Sequence, residues 1–76
     1  MMNNQDRASA ARDVVDNFAF KMGIVDEDME LKISDLMADL YHLADQYGIE
    51  MQECIARGYG HYICEMHDEA NIGCWS

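Results

Sequence analysis

Residues 26–48 read DEDMELKISDLMADLYHLADQYG, and the spacing within them sets the fold class. Met29, Ile33, Leu36, Leu40, Leu43 and Tyr47 recur at steps of three and four, which places them on one face of a helix about five turns long. Met37, Tyr41 and Ala44 widen the stripe. Asp26 is a credible N-cap, and Glu27, Asp28 and Glu30 put negative charge at the positive end of the helix macrodipole. Gly48 tolerates the left-handed conformation that ends a helix. The pattern predicts a helix over residues 27–47.

Toward the N-terminus, Asn3 or Asn4 can cap an earlier helix. Ala8, Ala11, Val15, Phe18 and Met22 form its apolar face, and Gly23 ends it, giving a helix over 4–22. Toward the C-terminus, Glu50 and Glu53 have capping-box spacing, and Ile49 is placed to staple against Cys54. Met51, Ile55, Tyr59, Tyr62, Ile63 and Met66 supply the apolar face of a third helix over 50–69, followed by a short tail over 70–76. Gly58 and Gly60 lie inside this helix at a cost of about 1 kcal/mol each relative to Ala. They imply a kink or the close approach of another backbone. The expectation is a single all-α domain over 1–76 with three helices. A connection of about two residues makes helices 2 and 3 an antiparallel hairpin. A core of this size contributes only about 3–5 kcal/mol, so a homodimer that closes a bundle is expected.

The chain has 76 residues, half of them hydrophobic, and carries 15 acids against 5 bases for a net charge of -10. That hydrophobic share suits a folded chain rather than a solvating acidic tail. Direct nucleic-acid binding is not expected, because affinity for phosphates comes from Lys and Arg. The charge is also uneven. Asp6, Asp13 and Asp16 balance Arg7, Arg12 and Lys21 in residues 1–25, while the other 12 acids face only Lys32 and Arg57.

No stretch approaches the roughly 20 apolar residues that span a bilayer, and no basic segment followed by an apolar run marks a signal peptide. Three cysteines, Cys54, Cys64 and Cys74, form no compact framework, so reduced thiols in a cytoplasmic protein are the expectation.

Several constellations bear on chemistry. Asp35, Asp39, His42 and Gln46 share a face of helix 2, and carboxylates one turn apart can hold a hard cation such as Mg²⁺. A bundle metal site needs a matching set, which Asp13-x-x-Asp16 alone could supply; the plainer reading is the solvated side of an amphipathic helix. His61-x-x-Cys64-x-x-His67, with Cys74 beyond, has zinc-ligand residue types. On a continuous helix, however, His61 and His67 point about 120° apart. Nucleophilic catalysis has little support, since Cys54 follows acids and Ser9 and Ser34 have no histidine close in sequence. Gly58-Tyr-Gly60 is too short for a phosphate loop and no Lys follows it.

The stretch Ser34–Arg57, with Leu43-Ala44-Asp45 before Gly48-Ile49-Glu50, resembles the C-terminal helical hairpin of MazG-like all-α nucleotide pyrophosphatases. Those enzymes hold Mg²⁺ on Glu-x-x-Glu and Glu-x-x-Asp. Registered on Gly48, the metal-binding Asp of the family falls on Asp35 and its partner Glu on Lys32, which cannot ligate a cation. The resemblance implies a degenerate Mg²⁺-dependent pyrophosphatase using Asp13, Asp16, Asp35 and Asp39. The same stretch is similar to small helical proteins of phages and plasmids. Asp35-Leu36, Asp39-Leu40, His42, Ala44-Asp45 and Gly48-Ile49, then His61-Tyr62, carry that likeness, which implies a mobile-element origin and no defined activity.

The acidic surface itself remains. Asp28, Asp35, Asp39, Asp45, Glu50, Glu53, Glu65, Asp68 and Glu69 are expected to project from the helix 2–3 pair. A fixed array of carboxylates complements the Lys/Arg groove of a basic, nucleic-acid-binding protein. The expected role is that of a non-enzymatic inhibitor or modulator that binds a host or phage protein. A structural assembly module is the third option.

Overall fold

The computed structural model describes residues 2–69. Met1, residues 70–76 with the expected tail, and the side chain of Glu69 lie outside the described residues. The fold is all-α: α1 spans Asn4–Met22, α2 Met29–Tyr47 and α3 Met51–Glu69, with no strand among the described residues.

Capping explains where each helix begins and stops. Asn3 caps α1 in a reciprocal box: its side chain accepts from the Asp6 N–H at 2.8 Å, and the Asp6 carboxylate accepts from the Asn3 N–H at 3.3 Å. Two donors left open by helix geometry are thereby satisfied. Gly23 and Gly48 close α1 and α2 at φ 73° and 66°. The Ile24 N–H then reaches back to the Ala19 carbonyl and the Ile49 N–H to that of Ala44, both at 2.9 Å. This six-to-one bond is the Schellman closure that a left-handed glycine permits.

The start of α2 departs from expectation. Asp28, not Asp26, is its N-cap, accepting from the Leu31 N–H at 2.8 Å. The Glu27 N–H donates to the Ile24 carbonyl at 3.1 Å, so residues 24–27 are spent on a turn before the helix can begin. At α3 the Glu50 carboxylate accepts from the Gln52 N–H at 3.3 Å, an N-terminal role despite its longer side chain. The proposed staple residues Ile49 and Cys54 are both exposed. Gly58 and Gly60 were expected to mark a kink or a close backbone approach. The helix runs from Met51 to Glu69 through both glycines, and beyond its own backbone a Cβ at either would meet nothing within 4 Å, so no close approach is made there among the described residues.

The core is small. Among the described residues Val15, Ala19 and Ala44 are the buried ones, and no large side chain is fully enclosed. Ala19 and Ala44 are the residues whose carbonyls take the closing bonds of α1 and α2, so the core sits where the first two helices end. Of the face expected on α1, Val15 is buried and Phe18 half-buried, whereas Ala8, Ala11 and Met22 are exposed. On α2, Met29 and Leu36 are half-buried, while Ile33, Leu40, Leu43 and Tyr47 are exposed. Ile55, Tyr59, Tyr62 and Met66 form an exposed stripe on α3. The radius of gyration is 14.5 Å, against about 11 Å for a compact domain of this length. The helices touch without wrapping one another.

Cys64 is disulfide-bonded, and Cys54 is an exposed free thiol. The expectation of reduced thiols throughout therefore fails at Cys64, and the argument from thiols for a reducing compartment fails with it. The unreduced protein should release fewer than three equivalents to a thiol reagent and the reduced protein three; three from the outset would show Cys64 reduced.

Candidate functional site

The expected acidic residues divide into three groups. Asp28, Asp45, Glu50, Glu53 and Asp68 are exposed. Asp28 and Glu50 also work locally, as acceptors for the opening N–H groups of α2 and α3. Asp35 and Asp39 are half-buried rather than fully projecting. Glu65 is engaged: its carboxylate lies 3.4 Å from Arg7 Nε. Its backbone carbonyl accepts from Asn4 Nδ2 at 3.2 Å, and Arg7 Nη1 donates to Asn4 Oδ1 at 2.8 Å. This polar knot ties the start of α1 to the end of α3. The Glu69 side chain lies outside the described residues.

The bases are placed unequally. Arg7 pairs with Glu65, and Arg12 pairs with Asp16 at 3.2 Å; Lys21 sits in the last turn of α1, where a cation is favoured. Among the described residues these are the ion pairs, and none of them neutralises the exposed acids of α2 and α3. Sequence reasoning left Asp26, Glu27 and Glu30 out of the surface, yet all three are exposed beside Asp28. Their position before a helix start was the available signal, and it was read as capping alone.

The metal constellations are not assembled. Among the described residues no three His, Cys, Asp or Glu side chains come together closely enough to hold an ion. That covers Asp13, Asp16, Asp35 and Asp39, the alternative Mg²⁺ set. His61 and His67 are exposed and Cys64 is half-buried. Its sulfur, being in a disulfide, is not the thiolate that zinc requires. Cys74 lies outside the described residues.

No family model matches the chain, and no curated protein or solved structure matches it either. Its surfaces must therefore speak for themselves. Besides the acids, the described residues form an open apolar groove of about 720 Å³ between α1 and α2. Ala8, Ala11 and Val15 line it from α1 and Met29, Ile33 and Leu36 from α2, with Arg12 its one charged residue. On α3 the Tyr59 and Tyr62 rings lie 6.1 Å apart and tilted by 37°, a pair within stacking range. No described helix is long and apolar enough to cross a membrane.

Proposed function

We propose that the protein is a binding module rather than an enzyme, an acidic inhibitor or modulator that engages the basic surface of a host or phage protein. One observation carries the reading: Asp28, Asp45, Glu50, Glu53 and Asp68 are exposed and have no ion pair among the described residues. Carboxylates fixed on helices cost little reorganisation when they meet a Lys/Arg face, and the summed field steers encounter. A surface wanted for solubility alone more commonly mixes both signs. The three-residue link between Tyr47 and Met51, and the bond from Gln52 Nε2 to the Tyr41 hydroxyl at 2.9 Å, support an antiparallel α2–α3 pair presenting these acids together. The likeness of residues 34–62 to phage and plasmid proteins supports action in a host cytoplasm.

The informative variant is Asp45→Lys/Asp68→Lys. Both residues lie near helix C-termini, where a cation interacts better with the macrodipole than an anion does. The substitutions should therefore not weaken the helices, and Asp28 and Glu50 are spared because they cap. A partner isolated from host lysate should associate with the wild type at least about tenfold faster at about 0.01 M salt than at about 1 M, where the Debye length falls from about 30 to about 3 Å. The variant should lose most of that gain. Salt-independent association, equal for both proteins, would reject the reading, as would release of pyrophosphate from a nucleoside triphosphate with Mg²⁺.

A further inference from the structure

We propose that the α1–α2 groove receives an amphipathic helix of the partner, which sets apolar side chains into the groove and Lys or Arg against the acids where α2 begins. The inference rests on the basic-partner reading above and names the element of that partner which is bound.

Two observations meet at this place. The first is the form of the groove. Its apolar walls run Ala8, Ala11, Val15 on α1 and Met29, Ile33, Leu36 on α2, in steps of three and four that cover about two turns each, or about 10 Å of helix. A trough of that length between two helices takes the ridge of a third, whose side chains at i, i+3 or i+4 and i+7 fall inside it. The walls are unequal. Ala8 and Ala11 leave room for large side chains, while Ile33, 49% exposed, gives them a branched surface to pack on.

The second observation is charge. Met29 opens the α2 wall with Asp28 before it and Glu30 after it, and Asp26 and Glu27 precede them. All four acids are exposed, and none is in an ion pair among the described residues. Asp28 is engaged as the cap of α2, which leaves Asp26, Glu27 and Glu30 to an incoming cation. The one base that lines the groove, Arg12, is paired with Asp16. An apolar trough with anionic groups at one end complements a helix that is apolar on one side and cationic at its edge. A second copy of the chain, at a net charge of -10, brings the wrong sign to that end, and a neutral apolar segment leaves the carboxylates unanswered.

The probe is a synthetic peptide about four turns long when helical, with leucines at steps of three and four and lysines between them. It is titrated into the protein at low salt while the methyl groups are observed by NMR. Those of Ala8, Ala11 and Ile33 should shift. The peptide should bind at least about tenfold tighter than a scrambled peptide of the same composition, whose leucines share no face. Ile33→Gln should weaken binding at least about tenfold, and Glu27→Gln/Glu30→Gln at least about threefold, an effect lost at high salt. Ile33 and both glutamates are exposed, so helicity by circular dichroism should be unchanged. Should Ile33→Gln unfold the chain, Ala8→Phe fills the trough from its exposed α1 wall and should give the same loss. Equal binding of the scrambled peptide overturns the proposal, as do shifts confined to the α3 methyls of Ile55 and Ile63. Shifts at the groove methyls on diluting the protein alone would assign the groove to a second copy and overturn it too. The two readings fail separately. A captured partner whose salt-steered association is lost in Asp45→Lys/Asp68→Lys, but whose affinity is unchanged by Ile33→Gln, leaves the basic-partner reading intact and removes the groove from it.

Discussion

Ala19→Asp should abolish the fold. Ala19 is 1% exposed, and its carbonyl takes the bond from the Ile24 N–H that closes α1. Among the described residues a carboxylate there has no buried basic or other polar group to receive it. An unpaired buried charge costs about 3–5 kcal/mol, comparable to the whole contribution expected from a core of this size. The helical signal at 222 nm should therefore be lost at 25 °C. The adjacent control makes the test sharp. Phe20 is far larger than Ala19 but is 76% exposed, so the uncharged Phe20→Gln, which adds no anion to the last turn of α1, should stay within about 0.5 kcal/mol of the wild type. Retention of full helicity by Ala19→Asp would remove Ala19 from the core.

The second large effect has the opposite sign. Gly58→Ala/Gly60→Ala should stabilise the protein by about 2 kcal/mol, since each glycine costs about 1 kcal/mol in a helix interior. Neither position carries the positive φ that would make alanine strained, and beyond the helix's own backbone no atom lies within 4 Å of the new Cβ. Part of the gain comes from the unfolded chain, which has fewer conformations to lose. For a domain of this length the melting temperature should rise by about 10 °C. A double variant no more stable than the wild type would mean that the glycines relieve a strain absent from a regular helix. If stability rises while partner binding falls, the glycines serve an approach made by another molecule, the role that their spacing suggested.

Local features were legible at nearly residue resolution. Asn3, Gly23 and Gly48 bound α1 and end α2 through bonds that span six residues or fewer, so the information lies within the segment itself. The error at the start of α2 is of the same kind: Asp26 and Asp28 both satisfy the cap rule, and the turn at residues 24–27 selects Asp28. The apolar stripes were legible as faces but not as a core. Periodicity says which side of a helix is apolar, while the place where a neighbour crosses depends on elements far away in the chain. Ala8, Ala11 and Met22 thus lie exposed on the expected face, and Ala19, outside that set, is the most buried residue in α1.

The acidic surface divides in the same way. The sequence alone determined that α1 is neutral and that the rest of the chain carries the whole net charge, because a sum over residues needs no coordinates. It also determined three helices and where the first two stop, because capping bonds are local. Only the tertiary structure decided that Glu65 is held by Arg7, that Asp35 and Asp39 are half-buried, and that an apolar groove opens between α1 and α2. Burial and ion pairing depend on which distant surfaces meet, and with three buried residues among those described to fix that meeting, much of each helical face is left exposed.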